Sequence, residues 1–464
     1  MDSHLDDDLA ALPDLLAAVQ QYAAGILAGI GDRPVAAPPA PPVLDEPLPR
    51  RGAGARAALD EFARRWGPGF SASAGPRYLG FVTGGSTPAA LAGDWLAGAF
   101  DQNAASAEDS SADKLEKQAI VWLRELFGLT AAHSGAFVSG ATMSNYTGLA
   151  IAREWLGRQH GVDVSRSGLT GLGPVPVLSG TPHSSIYKAL SMAGIGRDAL
   201  RLVPVLLGRE AVDVAALEVA LRQLDGRPAI VVANAGTVNT GDFDDIRAIA
   251  GLRERYRFWL HVDGAFGAFA ALSAEHAGLL DGLDEADSVC ADLHKWLNVP
   301  YDSAVQFSRH RDLQLAVFHN AAAYLGSAGD DPDFLHLVPE NSRRLRALAA
   351  WMTLTAYGRD GHADIVARDI RWARDLGALI GGCPQLRLLA PVRLNIVCFT
   401  LAAEPTQDRI AAFTSAVAAS GEAFVTPTVY GGTPAVRAAF SNWRTGPADV
   451  ERVYAVLAKT AASL

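Results

Sequence analysis

The stretch "CADLHKWLNVP" (290–300) places Lys295 between a histidine and a tryptophan, at the end of an apolar run. Lysine and arginine together number 40 in this chain, yet only five of them are lysines. A lysine in a dry pocket has a depressed pKa and becomes a usable amine nucleophile. The plain alternative is a lysine that snorkels to water from a strand end. "HVDGAFGAF" (261–269) sets Asp263 at the end of a very apolar strand, before Gly264 and Ala265, which are small enough to let a flat ring approach the backbone. A carboxylate buried there needs a cation or a strong donor; otherwise it is a turn or cap residue. "SGATMSN" (139–145) puts small residues and unpaired N–H groups at a helix start, an anion seat or an ordinary capped turn. It is neither a Walker loop nor GxGxxG. In "SGTPHSSIYKA" (179–189), His183 stands between a strand and a helix, as a cap or as a ring to stack on another ring.

Residues 130–310 must position these groups. Apolar runs at 134–140, 175–180, 201–206, 228–236, 258–266, 287–293 and 303–308 alternate with helical periods at 143–156, 184–193, 213–224 and 243–255. This pattern predicts an α/β fold, a mostly parallel sheet covered on both faces, with ligands at the carboxyl ends of the strands. From about 345 a long helix, short strands near 385–401 and 424–440, and a final helix near Pro447 predict a smaller α+β unit. Ahead of the sheet, helices at 8–29 and 54–66 flank the extended proline-rich "DRPVAAPPAPPVLDEPLPRRG" (32–52). That arm is too small to hold a core and is expected to pack on something else, such as another subunit. The expected division is arm 1–75, large domain 76–345 and small domain 346–464.

Of the 464 residues, 49% are hydrophobic and 19% charged, a well-packed globular composition. The net charge of −10 argues against a nucleic-acid or anionic-membrane partner. Cys290, Cys383 and Cys398 are few and form no CxxC, so neither a disulfide framework nor a metal site is expected. The acidic start differs from a signal peptide, and no apolar run nears the roughly 20 residues of a membrane span. A soluble, cytoplasmic protein is expected.

A phosphate cradle, a stacking histidine, a buried carboxylate and an isolated lysine at the ends of one parallel sheet are together what pyridoxal phosphate requires. Indeed "DLHKWLNVPYDS", "HVDGAFGAF", "VSGATMSN" and "GTPHSSIYKA" resemble the fold type I, group II pyridoxal-phosphate decarboxylases, with an aminotransferase-like fold. "GPRYLGFVTGGSTPAALAGDWLAGAFDQN" (75–103) and "AVRAAFSNWRT" (435–445) extend the likeness to residues 75–460. The resemblance implies that Lys295 forms the Schiff base and Asp263 pairs with the pyridine nitrogen. It implies that His183 and Ala265 pack on the two ring faces, and that Ala141 and Thr142, with His294, bind the phosphate. Thr237, in "NAGTVNTGDFDD", would lie near the ring's 3′-hydroxyl. Phe81, Val82 and Thr83 resemble positions that line the substrate pocket, and Phe334 is expected to line it too. Family members are homodimers with active sites at the subunit interface.

The implied reaction is loss of CO2 from an L-amino acid, aromatic or apolar in its side chain, through a quinonoid carbanion that an acid then protonates to the amine. In the family a mobile loop commonly supplies a tyrosine as that acid. The corresponding "YLGSAGDDPDFLHLVPENSRR" (324–344) has Tyr324 at its start, then Phe334 and His336 near where the tyrosine would stand. His336 is a candidate proton donor. Family members with phenylalanine at that position tend to be aldehyde synthases, the second reading. An aminotransferase or another lyase is a third, with Arg437 and Arg444 as arginines for a carboxylate clamp.

Overall fold

Alternating strand and helix periods fold into one seven-stranded sheet. The computed structural model describes residues 3–37, 45–104, 110–320 and 331–464. The strands are β1 (Ser134–Val138), β2 (Val177–Ser179), β3 (Leu200–Leu202), β4 (Ala229–Asn234), β5 (Phe258–Asp263), β6 (Ser288–Ala291) and β7 (Ala304–Ser308). Each falls within one of the seven apolar runs, give or take a residue. Their order is β1-β7-β6-β5-β4-β2-β3. β2 pairs in parallel with β3 and β4, and β5 with β4 and β6, while β7 runs antiparallel to β6 and β1. Every residue of β4 and β5 is buried, so neither strand alternates in polarity. The register sets Asn234 beside Asp263, and Asp263 beside Cys290, at one edge of the sheet.

Four helices matter for the site. α1 (Ala141–Gln159) starts just after β1, and α2 (Ser184–Met192) is capped by the His183 ring, which accepts from the Ser185 N–H. α3 (Leu293–Trp296) is a single turn after β6. α4 (Ala347–Gly381) is kinked at Gly358, whose φ of 58° favours glycine. Two expected helices are divided. The helix expected at 8–29 is Ser3–Ala10 and Leu12–Ala28, because Pro13 can begin a helix but not continue one. The helix expected at 243–255 is Ile246–Gly251, tightening into the 3-10 turn Leu252–Glu254.

A second sheet contains β8 (Leu386–Leu388), β9 (Ile396–Leu401), β10 (Thr426–Tyr430) and β11 (Thr433–Ala439), all antiparallel, in the order β10-β11-β9-β8. Phe399, Phe413 and Phe440 centre its own apolar core. Arg77 is buried behind this sheet, 2.9 Å from Glu422 and donating to the Gly31 carbonyl at 2.7 Å. It ties the arm to the second sheet and does not line the cavity described below. No helix among the described residues is long and apolar enough to cross a membrane.

α4 also carries an acid-sensitive group. His362 is buried, and desolvation lowers its pKa to about 4, with a backbone contact at Thr353 opposing. Below about pH 6.5 the unfolded chain takes up a proton that the folded chain refuses until about pH 4. His362→Phe is therefore expected to gain on the parent as pH falls through that window, by up to about 1.4 kcal/mol per pH unit. Urea unfolding of both chains at several pH values measures it; parallel curves would show that His362 is not held neutral.

Candidate active site

At the carboxyl ends of β4, β5 and β6, where sheets of this kind bind their ligands, lies a cavity of about 230 Å3. Lys295, Asp263, His183, Ala141, Ala265, Thr237, His294, Phe81 and Val82 all line it. So do Thr181, Asn234, Gly236, Val238, Phe266, Tyr301 and Arg437.

Lys295 is held from behind. Its backbone passes so close to Gly84 that a Cβ there would lie 1.6 Å from the Lys295 carbonyl oxygen, so only glycine fits. The Asn298 amide donates to the Gly84, Lys295 and Ser441 carbonyls at 2.9, 3.1 and 2.6 Å, joining three segments at this point. Trp296 donates from Nε1 to Asp369 Oδ2 on α4 at 2.8 Å. Burial pushes the Asp369 carboxyl well up. The Lys295 Nζ reaches the cavity, 3.5 Å from Asp292 Oδ2 and 5.8 Å from the centre of the Phe266 ring.

Asp263 ends β5, is 6% exposed, and accepts two N–H groups: Asn145 Nδ2 to Oδ2 at 2.9 Å and the Ala265 N–H to Oδ1 at 3.2 Å. These donors answer the cost of burying it. Burial lowers the His183 pKa, opposed by Asp263 and assisted by Lys295 and Arg437. His183 is thus both a helix cap and a cavity wall, so the two readings of this residue hold together.

The start of α1 faces the same space. The Ala141 N–H donates to Asp292 Oδ2 at 3.3 Å. Asp292 is 2% exposed, and burial raises its pKa to about 6 against the pull of Lys295. Its Oδ1 lies 3.0 Å from His294 Nδ1. Desolvation, then Lys295, lowers the His294 pKa to about 3. The His294 ring lies over Tyr301 with centroids 4.1 Å apart.

Some expected residues lie elsewhere. Thr142 follows Ala141 into the helix and does not line the cavity; Thr83 is buried behind the wall, its hydroxyl 3.4 Å from that of Tyr301. Thr237 lines the cavity, but its hydroxyl already donates to Glu210 Oε2 at 2.6 Å and accepts from the Asp242 N–H at 2.9 Å. Phe334 and His336 form a buried 3-10 turn of their own chain and line no part of the cavity. Phe334 packs under the Arg343 guanidinium, 4.7 Å from its ring centre. The His336 Nδ1 accepts from the Asn320 N–H at 3.2 Å, and its ring sits 5.0 Å from that of His319. An apolar residue and a ring nitrogen acceptor suit that interior position. Tyr324 and the loop through Asp330 lie outside the described residues. Arg444 packs on Trp443, away from the cavity.

Cavity or near-cavity residues not read as site residues from the sequence include Asn145, Ser185, Phe266, Asp292, Tyr301 and, as a wall of this cavity, Arg437. Signals existed. Asn145 is four residues past Ala141 and so on the same helix face. Asp292 and Tyr301 fall inside the lysine motif, and Arg437 was noted only as a clamp for another reaction.

Residues 41–402 match the family model described as the pyridoxal-dependent decarboxylase conserved domain. The aromatic-L-amino-acid decarboxylase of Bacillus atrophaeus is 29% identical over 332 residues, which are 70% of this chain and 67% of that protein. The L-2,4-diaminobutyrate decarboxylase of Acinetobacter baumannii is 31% identical over 327 residues, 67% of this chain and 64% of that one. The crystal structure of Oryza sativa TDC with PLP and tryptamine covers 98% of both chains with a TM-score of 0.90 at 23% identity, a likeness of fold. With Lys295, Asp263 and His183 gathered in one cavity and this family match over most of its length, the chain belongs to the pyridoxal-dependent decarboxylases, carboxy-lyases that act on amino acids with pyridoxal phosphate.

Proposed function

We propose that this chain decarboxylates an L-amino acid with an aromatic or apolar side chain to its amine and CO2. The observation that carries the reading is the single cavity shared by Lys295, Asp263, His183 and Arg437. The donor set suits the cofactor: an amine at one wall, a carboxylate between two N–H donors at depth, a small residue at Ala265, and a 19-residue helix opening at Ala141. Bound there, pyridoxal phosphate supplies an aldehyde to the amine and a ring that takes up the electrons left by departing CO2.

Each side chain then has a task. Lys295 is the covalent anchor and later the amine that releases product. Asp263 holds a proton at the ring nitrogen. His183 and Ala265 flank the ring. Ala141 and His294 form the phosphate end, beside Asp292, whose pKa burial raises to about 6. The Thr237 hydroxyl is committed to Glu210, so Thr237 serves as a wall rather than as a donor. Arg437 donates one N–H to the Val238 carbonyl at 2.8 Å, and its charge meets the substrate carboxylate. Phe81, Val82 and Phe266 offer an apolar and aromatic surface to the substrate side chain. Tyr301 brings an O–H into the cavity that does not depend on the loop, which favours amine over aldehyde as the product.

An amino-acid panel assayed for CO2, amine, aldehyde and peroxide tests this. CO2 matched by amine, strongest with aromatic substrates, is expected; peroxide equal to CO2 would instead establish the aldehyde synthase reading, and transfer to a 2-oxoacid without CO2 the aminotransferase. Arg437→Gln is expected to lower kcat/KM by about a hundredfold, since a buried charged pair loses one partner. A change below about threefold would remove Arg437 from carboxylate binding.

We also propose a homodimer. The helix Leu12–Ala28 has no buried residue despite its apolar content, and Leu5, Leu9, Leu12, Leu16 and Val19 stand exposed along the arm. Light scattering that gives a monomer mass would refute this.

A further inference from the structure

Behind the cavity, seven polar groups form one hydrogen-bonded chain, buried at six of its members and reaching the open cavity at His183. Trp259 Nε1 donates to Ser288 Oγ at 2.9 Å, and Ser288 Oγ meets His261 Nδ1 at 2.8 Å. His261 Nε2 meets Asn145 Oδ1 at 2.9 Å. The Asn145 amide donates twice, to Asp263 Oδ2 at 2.9 Å and to Ser185 Oγ at 3.1 Å. Ser185 Oγ meets His183 Nδ1 at 2.8 Å.

The two ends decide the direction of every proton between them. An indole N–H can only donate and a carboxylate can only accept. Asn145 must therefore turn its NH2 to Asp263, since the flipped amide would aim an oxygen at a carboxylate. Its Oδ1 then faces His261, whose Nε2 must carry the proton. His261 Nδ1 is left as an acceptor for the Ser288 hydroxyl, whose lone pair accepts from Trp259. Burial supports a neutral His261, pushing its pKa down to about 4. On the other branch, Ser185 Oγ accepts from Asn145 and gives its own proton to His183 Nδ1. The Ser185 backbone N–H, an obligatory donor, lies 3.2 Å from the same nitrogen and requires the same lone pair there.

We propose that Asn145 is a positioning residue that couples the charge of Asp263 to His183: with one N–H committed to Asp263, its other N–H turns the Ser185 hydroxyl onto His183 Nδ1, where it joins the Ser185 backbone N–H in keeping the His183 proton on Nε2. The ring edge turned away from α2 is then a neutral N–H donor at the cavity. Asp263, Lys295 and Arg437 are the charged groups that act on it. Its use in catalysis rests on the function proposed above; the proton arrangement does not.

Nitrogen NMR of the full-length protein with labelled histidine, with and without added pyridoxal phosphate, reads the tautomer directly, and His183→Gln identifies the signal. The parent is expected to show His183 neutral with its proton on Nε2. Asn145→Asp keeps the side chain's shape but sets a second carboxyl 2.9 Å from Asp263; the pair shares one proton, which lies between them, so the Ser185 hydroxyl meets only an acceptor there and must turn to it. His183 Nδ1 then loses the hydroxyl donor and keeps only the Ser185 backbone N–H, so its nitrogen signal is expected to move off the parent value. Asn145→Ala leaves the Ser185 hydroxyl free to keep donating, so His183 should keep the parent signal despite the larger loss of side chain. A role that is structural alone would move the alanine variant at least as far as the aspartate one. An Nδ1–H or doubly protonated His183 in the parent, or an Asn145→Asp signal identical to it, would overturn the proposal. A chain that shows this pattern but releases no CO2 from any amino acid would refute the proposed function and leave the proton arrangement standing.

Discussion

Lys295→Ala is expected to lower CO2 release by more than about a thousandfold and to leave the folded chain unable to hold pyridoxal phosphate covalently. The side chain does little for the fold. It lies at the cavity wall, and its one close charged partner is Asp292 Oδ2 at 3.5 Å. The backbone around it is held by Asn298, Gly84 and Trp296, none of which needs the amine. The melting temperature should therefore stay near that of the parent, while the yellow absorbance of bound cofactor survives neither dialysis nor denaturation. Lys295→Arg is expected to fail equally, because a guanidinium stays protonated and cannot condense with an aldehyde. Either variant with more than a tenth of the parent rate would show that another amine anchors the cofactor.

Asp263→Asn comes next in size. The change removes the charge proposed to serve the ring nitrogen and also disturbs what holds it. An amide at 263 has one oxygen for two donors, so it can accept from Asn145 or from the Ala265 N–H but not from both, and one of the two hydrogen bonds is lost. Loss of one preorganised charge in a closed site costs roughly a hundred- to a thousandfold in kcat. The expectation is a kcat reduced to that extent with KM changed far less, read from steady-state kinetics at saturating cofactor. Asp263→Glu should not restore the rate, since the longer side chain displaces the carboxylate from the donors of Asn145 and Ala265. A rate within tenfold of the parent in Asp263→Asn would place the ring nitrogen elsewhere.

The central sheet was legible because each strand is a short apolar run set off by helical periods and turns. β4 and β5 are buried on both faces, which is why no alternation was needed to see them. Lys295, Asp263, His183 and Ala141 were legible because each stands at a strand end or a helix start, where chain order alone predicts its neighbourhood. Less local features were not. Pro13 divides the first helix at a point that hydrophobic periodicity passes over. Phe334 and His336 were read as facing substrate because the loop containing them follows the lysine. Their surroundings are instead Arg343, Asn320 and His319, which share no motif with the cavity.

By itself the sequence determined the order of strands and helices, the residues that match the family's lysine and aspartate motifs, and hence the family. These follow from residue type and local spacing, which the chain carries wherever it folds. Only the tertiary structure decided which distant polar groups meet. It set Arg437, from the second sheet, into the cavity wall, and committed the Thr237 hydroxyl to Glu210. It also linked Asp263 to His183 through Asn145 and Ser185, and backed Asn145 with His261, Ser288 and Trp259. The physical reason is the directionality of hydrogen bonds. Burying a side chain requires only that it be apolar, whereas the role of a buried polar atom depends on which donor or acceptor the folded chain brings within about 3 Å of it.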